Sequence, residues 1–228
     1  MHKKILGICA ALIAVGALMI PASASASVTL TEHTSGGVVD SIPVGTKVTA
    51  TQDATEPIAK FVAGSLSIEC NENKLTGEVV KNNSINVEAT IITHTFEGNQ
   101  TTSGTDCKSS IGNATIDVTA GHWCVRTVTN EDNFEVEGKG CGVVGNEVFE
   151  FKITTGAGAC TYSRTNLPIN GIFSTTTTPA TLEVTGEPEF VKTAGVLCPV
   201  GPGKITVMKF QLFTDNAAEA TLSLDDIS

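Results

Sequence analysis

Apolar and polar residues alternate in short runs along most of the chain. Ala114, Ile116 and Val118 alternate with Thr115, Asp117 and Thr119; Phe149, Phe151 and Ile153 alternate with Glu150 and Lys152; Met208, Phe210 and Leu212 alternate with Lys209 and Gln211. A period of two puts one set of side chains on a buried face and the other in water, which is the signature of a strand. A further run begins with Val87, Ala89 and Ile91, then changes parity to Ile92, His94 and Phe96. The change predicts a β-bulge, with burial on both faces as the alternative. Helical periodicity persists nowhere, Gly or Pro breaks almost every longer window, and Thr, a β-branched residue, occurs 32 times. The pattern predicts an all-β fold, an antiparallel β-sandwich or barrel, as one large unit or two related disulfide-tied units.

The start of the chain follows a different rule. His2, Lys3 and Lys4 precede an unbroken apolar run over residues 5–20, and Pro21 leads into Ala22, Ser23, Ala24, Ser25 and Ala26. A basic start, an apolar stretch short of the ~20 residues of a spanning helix, and small residues at its end predict a secretory signal peptide over residues 1–26. The remaining 202 residues carry no second apolar stretch, so no membrane span is expected after cleavage. Residues 27–59 read as an amino-terminal arm or added strands, and residues 60–228 as the β-rich domain.

Six cysteines follow the apolar run: Cys70, Cys107, Cys124, Cys141, Cys160 and Cys198. An even number in a secreted chain predicts three disulfides. Their spacing carries a faint repeat, since an offset of 91 residues lays Cys107 on Cys198 and Ala89-Thr90-Ile91 on Ala180-Thr181-Leu182. The repeat outlines two related halves, about 60–125 and 142–215. Matching bonds in the two halves predict pairing of Cys70 with Cys107 and Cys160 with Cys198, leaving Cys124 for Cys141. No C-x-x-C pair occurs, so a zinc site is not expected.

Charge and motifs narrow the function. Acids outnumber bases 24 to 14, a balance unsuited to nucleic acid or anionic lipid surfaces. Serine-hydrolase, zinc-protease, phosphate-loop, dinucleotide and EF-hand signatures are all absent from the sequence. The histidines left after cleavage are His33, His94 and His122. His122 and Asp117, with the carboxylates of Glu131, Asp132, Glu135 and Glu137, form the one grouping that could serve a hydrolase or hold Ca²⁺. The favoured expectation is a secreted, noncatalytic protein of the extracellular space or cell envelope, with a structural or binding role toward an unknown partner and no cofactor or metal. Its Thr-rich faces and loops, such as residues 174–179, would meet that partner. An extracellular hydrolase with a site near His122 is the alternative.

The segments Ser65-Leu66-Ser67-Ile68-Glu69-Cys70, Leu75-Thr76-Gly77-Glu78-Val79-Val80, Glu88-Ala89-Thr90-Ile91 and Thr95-Phe96-Glu97-Gly98 with Cys107, then Cys160-Thr161-Tyr162 and Leu197-Cys198-Pro199, form a pattern. It resembles the uncharacterised secreted, cysteine-containing β-rich proteins of soil actinobacteria. The resemblance spans about residues 46–214 and implies secretion and a β fold. It implies no activity. The chain departs from those proteins in its few aromatic residues and in Trp123 standing directly before Cys124.

Overall fold

The computed structural model describes residues 28–33, 39–52, 58–83, 86–97, 107–118, 122–128, 133–146, 148–174, 179–199, 201–206, 208–214 and 221–226. Residues 1–26 and the four threonines at 175–178 lie outside the described residues. The strands are β1 (Val28–His33), β2 (Val39–Ser41), β3 (Lys47–Gln52), β4 (Ala59–Ala63), β5 (Leu66–Cys70), β6 (Glu72–Asn82), β7 (Val87–Glu97), β8 (Cys107–Ser109), β9 (Gly112–Val118) and β10 (Trp123–Thr127). They continue as β11 (Asn133–Glu137), β12 (Val148–Thr155), β13 (Gly158–Thr165), β14 (Ile169–Ser174), β15 (Thr181–Val184), β16 (Glu189–Ala194), β17 (Gly203–Ile205), β18 (Lys209–Thr214) and β19 (Thr221–Asp226). The fold is all-β and antiparallel, and it is a barrel architecture.

Two barrels close. The upper one runs β12-β13-β16-β17-β4-β5-β8-β9 and the lower one β15-β14-β11-β10-β7-β6-β3-β18, joined by the pairing of β15 with β18. After β3 the chain changes barrel every second strand, so β4 and β5 are upper, β6 and β7 lower, β8 and β9 upper, and so on to β18. Each crossing joins a lower strand to an upper one as the two segments of a single stave: β3 with β4, β5 with β6, β7 with β8, and likewise to β17 with β18. The staves keep the same neighbours in both barrels. The architecture is therefore one up-and-down meander of eight staves, interrupted at a waist. Hairpin turns at the upper and lower ends reverse the chain.

The intervals 60–125 and 142–215 accordingly each supply staves to both barrels. An offset of 91 residues lays β4 on β12, β5 on β13, β7 on β15 and β9 on β17. Within residues 27–59, β3 is a stave, while β1 and β2 join β19 in a flap that extends from β18. Asn82 holds this flap to the lower barrel. Its side chain accepts from Leu30 N at 2.8 Å and donates to Leu30 O at 2.7 Å and Ile42 O at 2.9 Å.

Inward-facing positions form a single apolar core across both barrels. Phe61, Phe149, Phe151, Tyr162 and Phe190 fill the upper barrel, and Phe134, Phe173, Leu182, Phe210 and Leu212 the lower. Trp123 packs edge-on against Phe149 at 5.1 Å and so joins the two at the waist. Ion pairs such as Lys60 with Glu69 and Lys204 with Glu189 lie on the outside. The filling is thus apolar, and these charges face outward.

The parity change in β7 is a bulge. Thr76 faces Thr93 while Gly77 faces Ile91, which leaves Ile92 as the extra residue, 39% exposed. Val87, Ala89 and Ile91 before it and His94 and Phe96 after it all border the interior. Three disulfides form, Cys70–Cys107, Cys124–Cys141 and Cys160–Cys198, the pairing that the repeat predicts. Such bonds are at home in an oxidising compartment.

Candidate functional site

Four connections meet at the upper end of the structure: the β4–β5, β8–β9 and β12–β13 turns and the longer loop between β16 and β17. They surround a depression of about 360 Å³ lined by Ser65, Leu66, Ile111, Ala157, Val196, Leu197 and their neighbours. The Cys160–Cys198 disulfide and Pro199 form part of its wall. Three interior cavities among the described residues are far smaller, about 30 to 50 Å³.

Local chemistry shapes this end. Ser110 donates from its amide to Ser67 O at 2.9 Å and from its hydroxyl to Ser65 O at 3.0 Å, stitching two of the turns together. Gly195, with φ of +106°, occupies a conformation that L side chains rarely adopt, and a Cβ there would collide with Cys198 Sγ and Ala159 O. Glycine thereby allows the 195–199 loop to lie against the disulfide. Lys192 Nζ donates to Cys198 O at 3.4 Å from the side of β16. The loop then turns Val196 and Leu197 outward, 98% and 79% exposed, beside Ile111 at 57%. Large aliphatic side chains held in water around a concavity are typical of a binding surface.

A second grouping occupies the waist. His94 Nε2 lies 2.6 Å from Asn73 Oδ1, and Asn73, fully buried, donates through Nδ2 to Met208 Sδ at 3.1 Å. The imidazole lies tilted against Phe96 at 4.1 Å and meets Trp123 edge-on at 5.2 Å. His94 is half-buried as a residue, but its Nδ1 is shielded from solvent and has no partner. Burial pushes its pKa down to about 3, so the ring stays neutral. With Nε2–H donating to Asn73, this imidazole is a packed strut of the core rather than an accessible base.

The residues singled out from sequence take other places. His122 is exposed just before β10, with Nδ1 3.3 Å from Ile91 O. Asp117 is exposed on β9 opposite Lys152 in the register. Among the described residues, no hydrogen bond or ion pair joins His122 to Asp117. Glu135 and Glu137 converge on Arg126, at 3.0 and 2.6 Å. Partial burial opposes the Arg126 charge, but the hydrogen bond to Glu135 and the charges of Glu137, Glu135 and Glu88 outweigh it and raise the guanidinium pKa. This acidic stretch is thus half of a cross-strand ion-pair network, with Lys139 4.0 Å from Glu137. Glu131 and Asp132 lie outside the described residues, as does the His33 side chain.

Glu88, Cys124 and Cys141 place potential ligand atoms close together, but both sulfurs are spent in the disulfide and Glu88 binds Asn86 and Lys81. They could hold a metal only after reduction. The sequence does not mark Ile111, Val196 and Leu197 as a site: Leu197 enters only as part of Leu197-Cys198-Pro199, and Ile111 is a lone apolar residue between Ser110 and Gly112.

No protein-family model, no curated protein and no solved structure matches this chain.

Proposed function

We propose that the protein is a secreted, noncatalytic module of the extracellular space or cell envelope, related to the actinobacterial β-rich proteins it resembles, and that it binds through its upper end. The observation that carries this reading is the 360 Å³ depression, whose wall is built from aliphatic side chains, small residues and a disulfide. Binding by shape and apolar contact suits that wall, whereas acid–base or nucleophilic chemistry needs titratable groups converging on a reacting atom. The basic start, apolar run and Ala-Ser repeat of residues 1–26 support export, and the three disulfides agree with an oxidising destination.

The test begins with protein collected from the medium of a secreting bacterial host. Its amino terminus is expected at Ser27, and its mass six hydrogens below that of the reduced chain. Incubation with peptide, ester and glycoside substrates is expected to give no turnover. Turnover that disappears in His122→Ala would replace this reading with the hydrolase.

A further inference from the structure

We propose that the upper mouth binds an uncharged aliphatic chain, such as a short alkyl or acyl group, with its apolar body lying against Leu66, Ile111, Val196 and Leu197. The inference rests on the reading of this end as a binding surface and goes on to name the chemistry of the ligand.

Charge supplies the first argument. The twelve residues that line the depression, from Ser65 to Pro199, include no Asp, Glu, Lys, Arg or His. In a chain of 24 acids and 14 bases the lining side chains are thus uncharged, and the cation that reaches the loop, Lys192, is engaged by Cys198 O at 3.4 Å, so the wall offers an ionic ligand little counter-charge. What it offers is aliphatic surface, with Val196 98% and Leu197 79% exposed. Covering such side chains removes apolar surface from water and so stabilises a complex.

Size and shape supply the second. A volume of about 360 Å³ falls in the range of small-ligand sites. The interior below is closed to the same ligand, because aromatic side chains fill the upper barrel and the cavity bordered by Phe61, Ile68 and Phe151 measures about 30 Å³. A chain entering from the top therefore stops at the mouth. Its polar end, if it has one, stays on the open side in solvent, where it needs no partner from the protein.

The test uses the secreted chain with ¹³C-labelled Ile, Leu and Val methyl groups, and decanol as the probe. Saturable shifts are expected for Ile111, Val196, Leu197 and Leu66, with Val48 and Leu212 of the lower barrel unmoved. Leu197→Asp, at an exposed site that does not threaten folding, should weaken decanol binding roughly 10- to 100-fold. Sedimentation with phosphatidylcholine vesicles separates two sources of the same chemistry. Pelleting that Leu197→Asp abolishes points to acyl tails held in a membrane, and decanol binding without pelleting points to a free chain. Absence of both decanol shifts and pelleting, or decanol binding unchanged in Leu197→Asp, would overturn the inference. Substrate turnover beside intact decanol binding would instead remove only the noncatalytic reading.

Discussion

The hydroxyl of Tyr162 is buried inside the upper barrel. The residue has no exposed surface, its ring packs 4.8 Å from Phe61 and 6.0 Å from Phe151, and its oxygen has no protein partner. Burial accordingly raises the phenol pKa. An unpaired buried hydroxyl costs free energy that phenylalanine would not. Tyr162→Phe keeps the ring and should raise the unfolding free energy by about 1 kcal/mol in urea titrations. A loss of that size would mean the hydroxyl is bonded after all. His94 gives a prediction in pH. Folded, it resists protonation down to about pH 3, whereas the unfolded imidazole takes up a proton near its ordinary 6.5. Between those values the unfolded chain holds more protons, so acidification removes stability, roughly 3 kcal/mol by pH 4. In His94→Gln, whose amide can still donate to Asn73, denaturation curves taken between pH 7 and 4 should show a smaller loss. Parallel losses in the two proteins would show that the carboxylates alone set the acid sensitivity.

At the scale of strands, two glycines make room for two rings. A Cβ on Gly203 of β17 would strike the Phe61 ring, and one on Gly171 of β14 would strike the Phe134 ring. Small barrels fit large side chains opposite small ones in this way. Gly203→Ala should cost about 1 to 3 kcal/mol through overpacking. The cost should shrink in a Phe61→Leu background, an interaction that a double-mutant cycle measures directly. Additive losses would show that the ring moves aside freely. Much of this scale was legible in the sequence. The alternation at 114–118, 149–153 and 208–212 marks β9, β12 and β18 because the pleat imposes it, and the parity change at Ile92 marks the bulge. The partner of the 131–137 acids was not legible. Arg126 meets Glu135 only through the register of the β10–β11 hairpin, and residue types alone do not fix that register.

For the whole molecule, the chain's repeated crossing of the waist is what the sequence hides. The strands of each barrel follow one another in chain order, yet they arrive in pairs separated by pairs of the other barrel. Alternation identifies such strands without assigning them to a barrel. The upper mouth is hidden for the same reason, since its wall gathers residues from Ser65 to Pro199. This interleaving has a thermodynamic consequence. Neither barrel can open without disturbing all eight staves, and the core is continuous through Trp123 and Phe149. The chain's one tryptophan therefore reports the waist, and its one tyrosine, Tyr162, reports the upper barrel. Unfolding followed by Trp123 fluorescence, by the near-ultraviolet signal of Tyr162 and by far-ultraviolet circular dichroism should give superimposable curves, with the calorimetric enthalpy equal to the van't Hoff value. A tyrosine transition separated from the tryptophan transition would mean that the upper barrel melts independently, and the continuous staves would then be two stability units joined in name only.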